Sequence, residues 1–295
     1  MQPGKEIEQQ LIDADLDICI EGLNFTYKGT KNPVLDSMSI DIRGPQLVSI
    51  LGPNGAGKST LIHCMNKILE PTGGTVMVNG MDVKEISIKN MAKISSYVPY
   101  TSTDSFPLTV TDTILMGRHP HAKWGTLKED LEIVHESLKL LDIEDLADSM
   151  FNELSAGQHQ KVMLARGFAQ EPRILLLDEP TSNLDIKYQL EITRILRRMS
   201  REKNVLVVMI SHDINIAAKY SDNIIVLHNH GIFSFGKPED VITAEMLKNV
   251  YGVDVDIMMD NGKPHIILCD DSGCAPLCSD SCVRVPEPNE QKQTE

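Results

Sequence analysis

Eight consecutive residues, Gly52-Pro53-Asn54-Gly55-Ala56-Gly57-Lys58-Ser59, fit the glycine-rich pattern G-x-x-x-x-G-K-S, whose chemistry is the holding of phosphate. The glycines let the backbone curl until its N–H groups converge on one point. A helix starting near Lys58 would aim the positive end of its dipole at that same point. Lys58 would bring charge to the β- and γ-phosphates of a nucleotide, the Ser59 hydroxyl would ligate Mg²⁺, and Thr60 closes the expected contact stretch. An ordinary glycine-rich turn between strand and helix is the plain alternative. It is weakened by the apolar run Leu47 to Leu51 before the motif and the apolar-periodic stretch after it.

Two further groups stand where strands should end. The apolar run Ile174 to Leu177 leads into Asp178-Glu179-Pro180, and Val205 to Ile210 leads into Ser211-His212-Asp213. Side chains at the C-terminal ends of buried parallel strands open into the crevice where such sheets take ligands. Asp178 would hold Mg²⁺ through water, Glu179 would polarise an attacking water, and His212 would hydrogen-bond the γ-phosphate. A solvated acid pair and a structural histidine are the plain readings of the same residues.

The elements that must position these groups read as an α/β core. The alternation of Ile18, Ile20 and Leu23, reaching Phe25 and Tyr27, predicts early antiparallel strands, and Thr75 to Gly80 predicts another. A helical stripe runs through Leu61, Ile62, Met65, Ile68 and Leu69 until Pro71 and Gly73 stop it. Thr126 and Glu129 have capping-box spacing ahead of Leu131, Val134, Leu138 and Leu141, and Ser155 and Gln158 repeat it before a helix through Ala169. The segment Lys187 to Met199 is expected to be helical. Continuous apolar runs at 174–177, 205–210 and 224–227 predict parallel strands covered on both faces. The expected organisation is a polar, solvated tail over 1–16 and a main domain over 17–255. A helical lobe at about 96–169 is inserted in that domain, and an extension spans 256–295.

Leu154-Ser155-Ala156-Gly157-Gln158 resembles the Leu-Ser-Gly-Gly-Gln signature of ABC ATPases, with Ala156 in place of a glycine. A serine and a glycine at a helix start form a second phosphate-binding end, although capping alone would also explain Ser155 and Gln158. The resemblance, over roughly 17–255, implies a P-loop NTPase core with an antiparallel β subdomain and a helical subdomain. It also implies ATP hydrolysis with Mg²⁺, by two copies that sandwich two nucleotides, P-loop against signature. Within it, Tyr27 matches the aromatic that stacks on adenine, and Ser182-Asn183-Leu184-Asp185 resembles the loop that crosses the dimer interface, making Asp185 a candidate nucleotide contact or a helix cap. Ser155, Gly157 and Gln158 are implied ATP contacts from the second copy. One departure stands out. The family carries Gln after a Tyr-Val-Pro stretch, whereas this chain reads Tyr97-Val98-Pro99-Tyr100. A phenol is a poorer metal ligand than an amide oxygen, so slower hydrolysis is expected.

Gly117-Arg118-His119-Pro120-His121 and Val250-Tyr251-Gly252-Val253-Asp254-Val255 are similar to stretches of the iron-siderophore, haem and vitamin B12 importers. That similarity implies permease partners in a membrane and, indirectly, an extracellular solute-binding protein. A soluble ABC ATPase working without a permease, in iron–sulfur assembly or regulation, is the competing expectation. His119 and His121 are read as polar residues flanking a proline rather than as metal ligands.

Composition bounds the classes. With 28 Lys and Arg against 42 Asp and Glu, the formal charge is −14, which excludes a protein that lives on nucleic-acid backbones. The apolar runs are too short to cross a bilayer, and the start of the chain lacks a signal-peptide pattern, so a cytosolic protein held to the membrane through a partner is expected. Of six cysteines, Cys19 and Cys64 fall in apolar-periodic segments, while Cys269, Cys274, Cys278 and Cys282 cluster in a Ser/Asp/Pro-rich end. Four thiolates at such range can hold Zn²⁺ or an iron–sulfur cluster. Thiol–disulfide chemistry and an incidental tail are the other readings, because the spacing matches no common zinc pattern.

Overall fold

The computed structural model describes residue 11 and residues 14–100, 107–122, 125–182 and 184–268. The four clustered cysteines, Asn183 and most of the expected N-terminal tail lie outside the described residues. In chain order the first half contains β1 (Asp17–Phe25), β2 (Leu35–Arg43), β3 (Leu47–Leu51), α1 (Lys58–Met65), β4 (Gly73–Val78), β5 (Met81–Asp82), α2 (Ile88–Ile94) and β6 (Ser95–Val98). A helical lobe follows: α3 (Val110–Leu115), a 3-10 turn over Met116–His121, α4 (Leu127–Leu140) and α5 (Ala156–Ala169). The chain then returns through β7 (Ile174–Leu177), α6 (Ile186–Glu202), β8 (Leu206–Ile210), α7 (Ile214–Tyr220), β9 (Asn223–His228) and β10 (Gly231–Gly236). It finishes with α8 (Pro238–Val241), α9 (Ala244–Tyr251) and the hairpin β11 (Val255–Asp260) and β12 (Lys263–Leu268).

One sheet, ordered β2-β1-β4-β5, is antiparallel and carries the alternating burial expected of strands with one wet face. The other, ordered β10-β9-β3-β8-β7-β6, is parallel except for its edge strand β10. Its inner strands β3, β7 and β8 are buried at every position, as their unbroken apolar runs predict. Because these strands run the same way, their C-terminal ends, at Gly52, Asp178 and Ser211, lie along one edge. Among the described residues no helix is long and apolar enough to cross a membrane.

Several expectations need correction. The stripe after Lys58 does not continue through Ile68 and Leu69. Lys67 turns left-handed at φ 56°, and its N–H and that of Ile68 bond the carbonyls of Cys64 and His63, a Schellman end. Lys67 Nζ then bonds the carbonyls of Val83, Lys84 and Ile86, which outweighs the preference for glycine there. The capping box expected at Thr126 is absent. Its near-helical backbone points the hydroxyl to Asp130 at 3.1 Å instead of to a backbone N–H. The helical lobe begins after β6, since residues 96–98 belong to the parallel sheet. The polar-tail reading of 1–16 does not describe Leu11 and Leu16, which join the main core. Within the expected extension, 256–268 belongs to a hairpin turning at Asn261 and Gly262, both with positive φ.

Candidate functional site

Strand β3 delivers the glycine-rich loop into the sheet's edge. Gly52 has φ 145°, and a Cβ there would lie 2.3 Å from the Leu227 carbonyl oxygen on β9, so only glycine lets β3 leave the sheet so close to its neighbour. Gly57, at φ 95°, is the N-cap of α1, and a Cβ on it would lie 2.9 Å from the Val34 carbonyl oxygen. No side chain caps α1 and no acid sits in its first turn, so its leading N–H groups remain for an incoming anion. Lys58 is buried, and its Nζ donates to the carbonyls of Gly52 at 2.8 Å and Pro53 at 3.0 Å. Burial lowers its pKa, while the charges of Glu179 and Asp178 oppose that shift. The loop thus keeps its cation aimed along its own curve. Thr60 is buried, and its hydroxyl shares a 3.2 Å hydrogen bond with that of Tyr27. Tyr27, set edge-on to Phe25 at 4.9 Å, keeps an exposed ring face beside α1, as a base-stacking platform requires.

Strand β7 delivers the acid pair. Asp178 is only 8% exposed, and its Oδ2 accepts from the Tyr97 hydroxyl at 3.5 Å. Tyr97 in turn meets His63 Nε2 on α1 at 2.9 Å. Burial first, and then the Asp178 charge, push the Tyr97 phenol up to about 12, so it stays a neutral donor near pH 7. Burial pushes His63 down, against the Asp178 charge. Neither Tyr97 nor His63 was singled out for the site by its spacing in the chain. Ser59 and Asp178 together offer hydroxyl and carboxylate oxygens, the hard donors that suit Mg²⁺.

Glu179 sits at φ 51°, a left-handed conformation that costs a side-chain-bearing residue about 1–2 kcal/mol. Three bonds hold it there. Its Oε2 accepts from the Ser182 hydroxyl at 2.9 Å, its carbonyl accepts from the Ser182 N–H, and its Oε1 lies 2.5 Å from His212 Nε2. The structure therefore joins Glu179 to His212, a link that the places of the two residues in the sequence did not announce. A carboxylate held at its base end by an imidazole is placed to take a proton from water.

The third group of residues lies apart from the first two. Ser155 caps α5: the Gln158 N–H donates to Ser155 Oγ at 3.4 Å, and Gln158 Oε1 accepts from the Ser155 N–H at 3.0 Å and from its hydroxyl at 2.8 Å. Gly157 faces the Tyr188 ring on α6 at 3.8 Å from where a Cβ would stand. Asp185 caps α6, accepting from the Tyr188 N–H at 3.0 Å, so the cap is the role it has here. Among the described residues no hydrogen bond joins Ser155, Gly157 or Gln158 to the loop at 52–60. Tyr100 stands just past β6, 40% exposed.

The Gly117 to His121 stretch is structural at three of its five positions. Gly117 has no room for a Cβ, which would lie 2.2 Å from the Arg166 carbonyl oxygen on α5. Arg118 is buried among Asp130 and Glu171, each at 2.8 Å, and the Ala169 carbonyl at 2.7 Å. Its hydrogen bond holds the Asp130 carboxyl below the usual range. His121 Nε2 bonds the Gln170 carbonyl at 3.0 Å, and burial depresses its pKa. His119 is exposed. Among the described residues no cluster of His, Cys, Asp and Glu has a metal-binding arrangement.

Comparison with known proteins agrees with this geometry. The ABC transporter family model matches residues 35–182. An ABC transporter ATP-binding protein of Methanocaldococcus jannaschii is 44% identical over 85% of this chain and 97% of its own length. The petrobactin import ATP-binding protein of Bacillus anthracis is 37% identical over 81% of this chain and 88% of its own. Others, 33% to 36% identical, are named as hemin, siderophore and cobalamin ATP-binding proteins. A dimeric ATP-binding cassette solved in a post-hydrolysis state with ADP and Pi is 28% identical, with a TM-score of 0.67 over 75% of this chain and 98% of that one.

Proposed function

Because this chain belongs to the ABC transporter family and is an ATP hydrolase of that type, we propose that it is the motor of an importer for an iron chelate, haem or cobalamin. The observation that carries the reading is the meeting, at the ends of β3, β7 and β8, of an uncapped helix start, a buried lysine, a buried aspartate and a Glu179–His212 pair. In this reading the loop 52–60 holds the triphosphate and Tyr27 stacks on the base. Ser59 and Asp178 would hold Mg²⁺, which when bound neutralises charge between the β- and γ-phosphates. Glu179 takes the proton of the attacking water, and His212 keeps its carboxylate oriented and senses the γ-phosphate side. Ser155, Gly157 and Gln158 of a second copy finish the site, and Asp185 stands at the seam between the copies.

The cargo class is supported by the names of the relatives and by the Gly117 to His121 stretch. The permease partner would meet this chain at the open cleft of about 290 Å³ beside the end of β6, lined by Ala92, Tyr97, Gly117, His119, Pro120 and Gln170. Such contact holds the chain at the inner face of the membrane, with a solute-binding protein outside.

Two measurements test this. Glu179→Gln keeps shape but removes the base, so turnover is expected to fall by about 10²–10⁴-fold while Mg-ATP drives a stable dimer, read by size-exclusion chromatography. A variant that stays monomeric in saturating Mg-ATP overturns the shared site. For cargo, deletion of this chain is expected to abolish uptake of a ferric chelate, haem or cobalamin. Unchanged uptake of all three overturns the importer assignment.

A further inference from the structure

The last helix and hairpin of the described chain reach both halves of the site from behind. They share a small core with Leu51, the residue just before Gly52, and with Ile214, two residues after His212. Within that core Tyr251 of α9 packs half-buried. Strand β12 grips the half that carries His212. Asn215, on the first turn of α7, donates from Nδ2 to the Ile266 carbonyl at 3.2 Å and accepts the Ile266 N–H on Oδ1 at 2.7 Å. Both bonds are part-buried and cross 51 positions of sequence, so they report tertiary placement rather than local chain geometry. The hairpin is seated further by Lys263 on Glu239 at 3.5 Å.

We propose that Asn215 is a positioning residue for ATP hydrolysis, acting through α7 on the placement of His212. The inference rests on the reading that His212 serves the chemical step. His212 touches Glu179, whose task arises only in the transition state, so a shift of α7 is read in kcat rather than in nucleotide affinity.

The test uses the full chain and Mg-ATP. Asn215→Ala removes both bonds to Ile266 and is expected to lower kcat about threefold to tenfold, with KM and the Kd of a fluorescent ATP analogue within about twofold. Asn215→Asp keeps the acceptor for the Ile266 N–H and is expected to recover most of kcat. If these variants lose thermal stability while KM and kcat per folded molecule stay at wild-type values, the hairpin is only a structural brace and the proposal fails. It fails equally if Asn215→Ala raises KM alone. Should Asn215→Ala not fold, Asn215→Ser is expected to show the same fall in kcat at unchanged KM. His212→Ala separates the two levels: undiminished turnover there overturns the reading of His212 itself, whatever the Asn215 variants do.

Discussion

Helix α1 starts at Gly57 with no capping side chain and no acid in its first turn, whereas α5 starts at Ser155 with a complete reciprocal box. Both starts carry a glycine and a hydroxyl residue, and both are phosphate-binding candidates by sequence. Their physical states differ. The first N–H groups of α1 have no side-chain acceptor, so an anion arriving there displaces only water. At α5 the Gln158 N–H and the Ser155 hydroxyl and N–H are already engaged with each other, worth about 1 kcal/mol, and a phosphate must outbid that cap. On the proposed function, nucleotide affinity is therefore expected of the single chain, at α1. Closure onto α5 would be a second, conditional step that follows only when a partner's phosphate is present.

The sharpest way to break this comparison is to place alanine at each helix's glycine. At Gly57 the positive φ, the Val34 carbonyl oxygen at 2.9 Å and Leu35 Cδ2 at 2.6 Å leave no room for a methyl group. Gly57→Ala is expected to cost about 2–4 kcal/mol in unfolding free energy and to abolish measurable ATP binding, checked by denaturant melts and nucleotide titration. At Gly157 a methyl group meets only the Tyr188 ring at 3.8 Å, an ordinary contact, and no left-handed backbone is involved. Gly157→Ala is expected to keep single-chain ATP affinity and to gain about 0.5–1 kcal/mol of stability. On the proposed function it should still weaken Mg-ATP-driven dimerisation, because a methyl group would stand where the partner's phosphate approaches. Equal behaviour of the two variants would erase the distinction between the ends.

A gentler change sharpens it. Ser155→Ala removes the cap and the hydroxyl together. The isolated chain is expected to lose about 1 kcal/mol of stability with unchanged ATP affinity. The ATP-driven dimer should lose about 1.5–3 kcal/mol per site, the worth of a hydrogen bond to a charged group. Sedimentation of this variant in the Glu179→Gln background reads that loss directly. A dimer as tight as the parent's would mean that Ser155 serves only its own helix.

What could be read in the chain, and what could not, follows the same division between local and distant contacts. The loop at 52–60, the acid pair and the box at Ser155 are short-range patterns, and each lies at the strand or helix end its neighbours announce. Tyr97 and His63 escaped notice because Tyr97 meets His63 across 34 positions and Asp178 across 81, the latter through a sheet order that sets β6 beside β7. Strand order is decided by packing, and local periodicity does not carry it. The link of Glu179 to His212 was missed for the same reason, being set by β7 lying beside β8. The terminal hairpin was within reach of sequence reasoning, since Asn261-Gly262 between two apolar-containing runs is a strong turn signal. Leu11 and Leu16 were passed over because the stretch around them was read by its polar residues, although Ile7, Leu11, Ile12 and Leu16 recur at helical spacing.

The smallest expected effect concerns Tyr100, which follows Pro99 at the end of β6, where the family pattern that Tyr97-Val98-Pro99 resembles has glutamine. Strand β6 also bears Tyr97, the donor to Asp178, so Tyr100 continues a strand whose side chains reach the acid pair. A phenol there can hydrogen-bond water but cannot offer an amide oxygen to Mg²⁺ or orient the nucleophile as closely. Tyr100→Gln is expected to raise steady-state ATP turnover about threefold, roughly 0.7 kcal/mol off the barrier, with ATP affinity at α1 unchanged. Because the change touches neither Gly57 nor Ser155, it should leave the dimer's stability in the Glu179→Gln background alone. Turnover that does not move would show that the open end of β6 contributes nothing to the rate. A shift in dimer stability instead would place Tyr100 on the α5 side of the comparison.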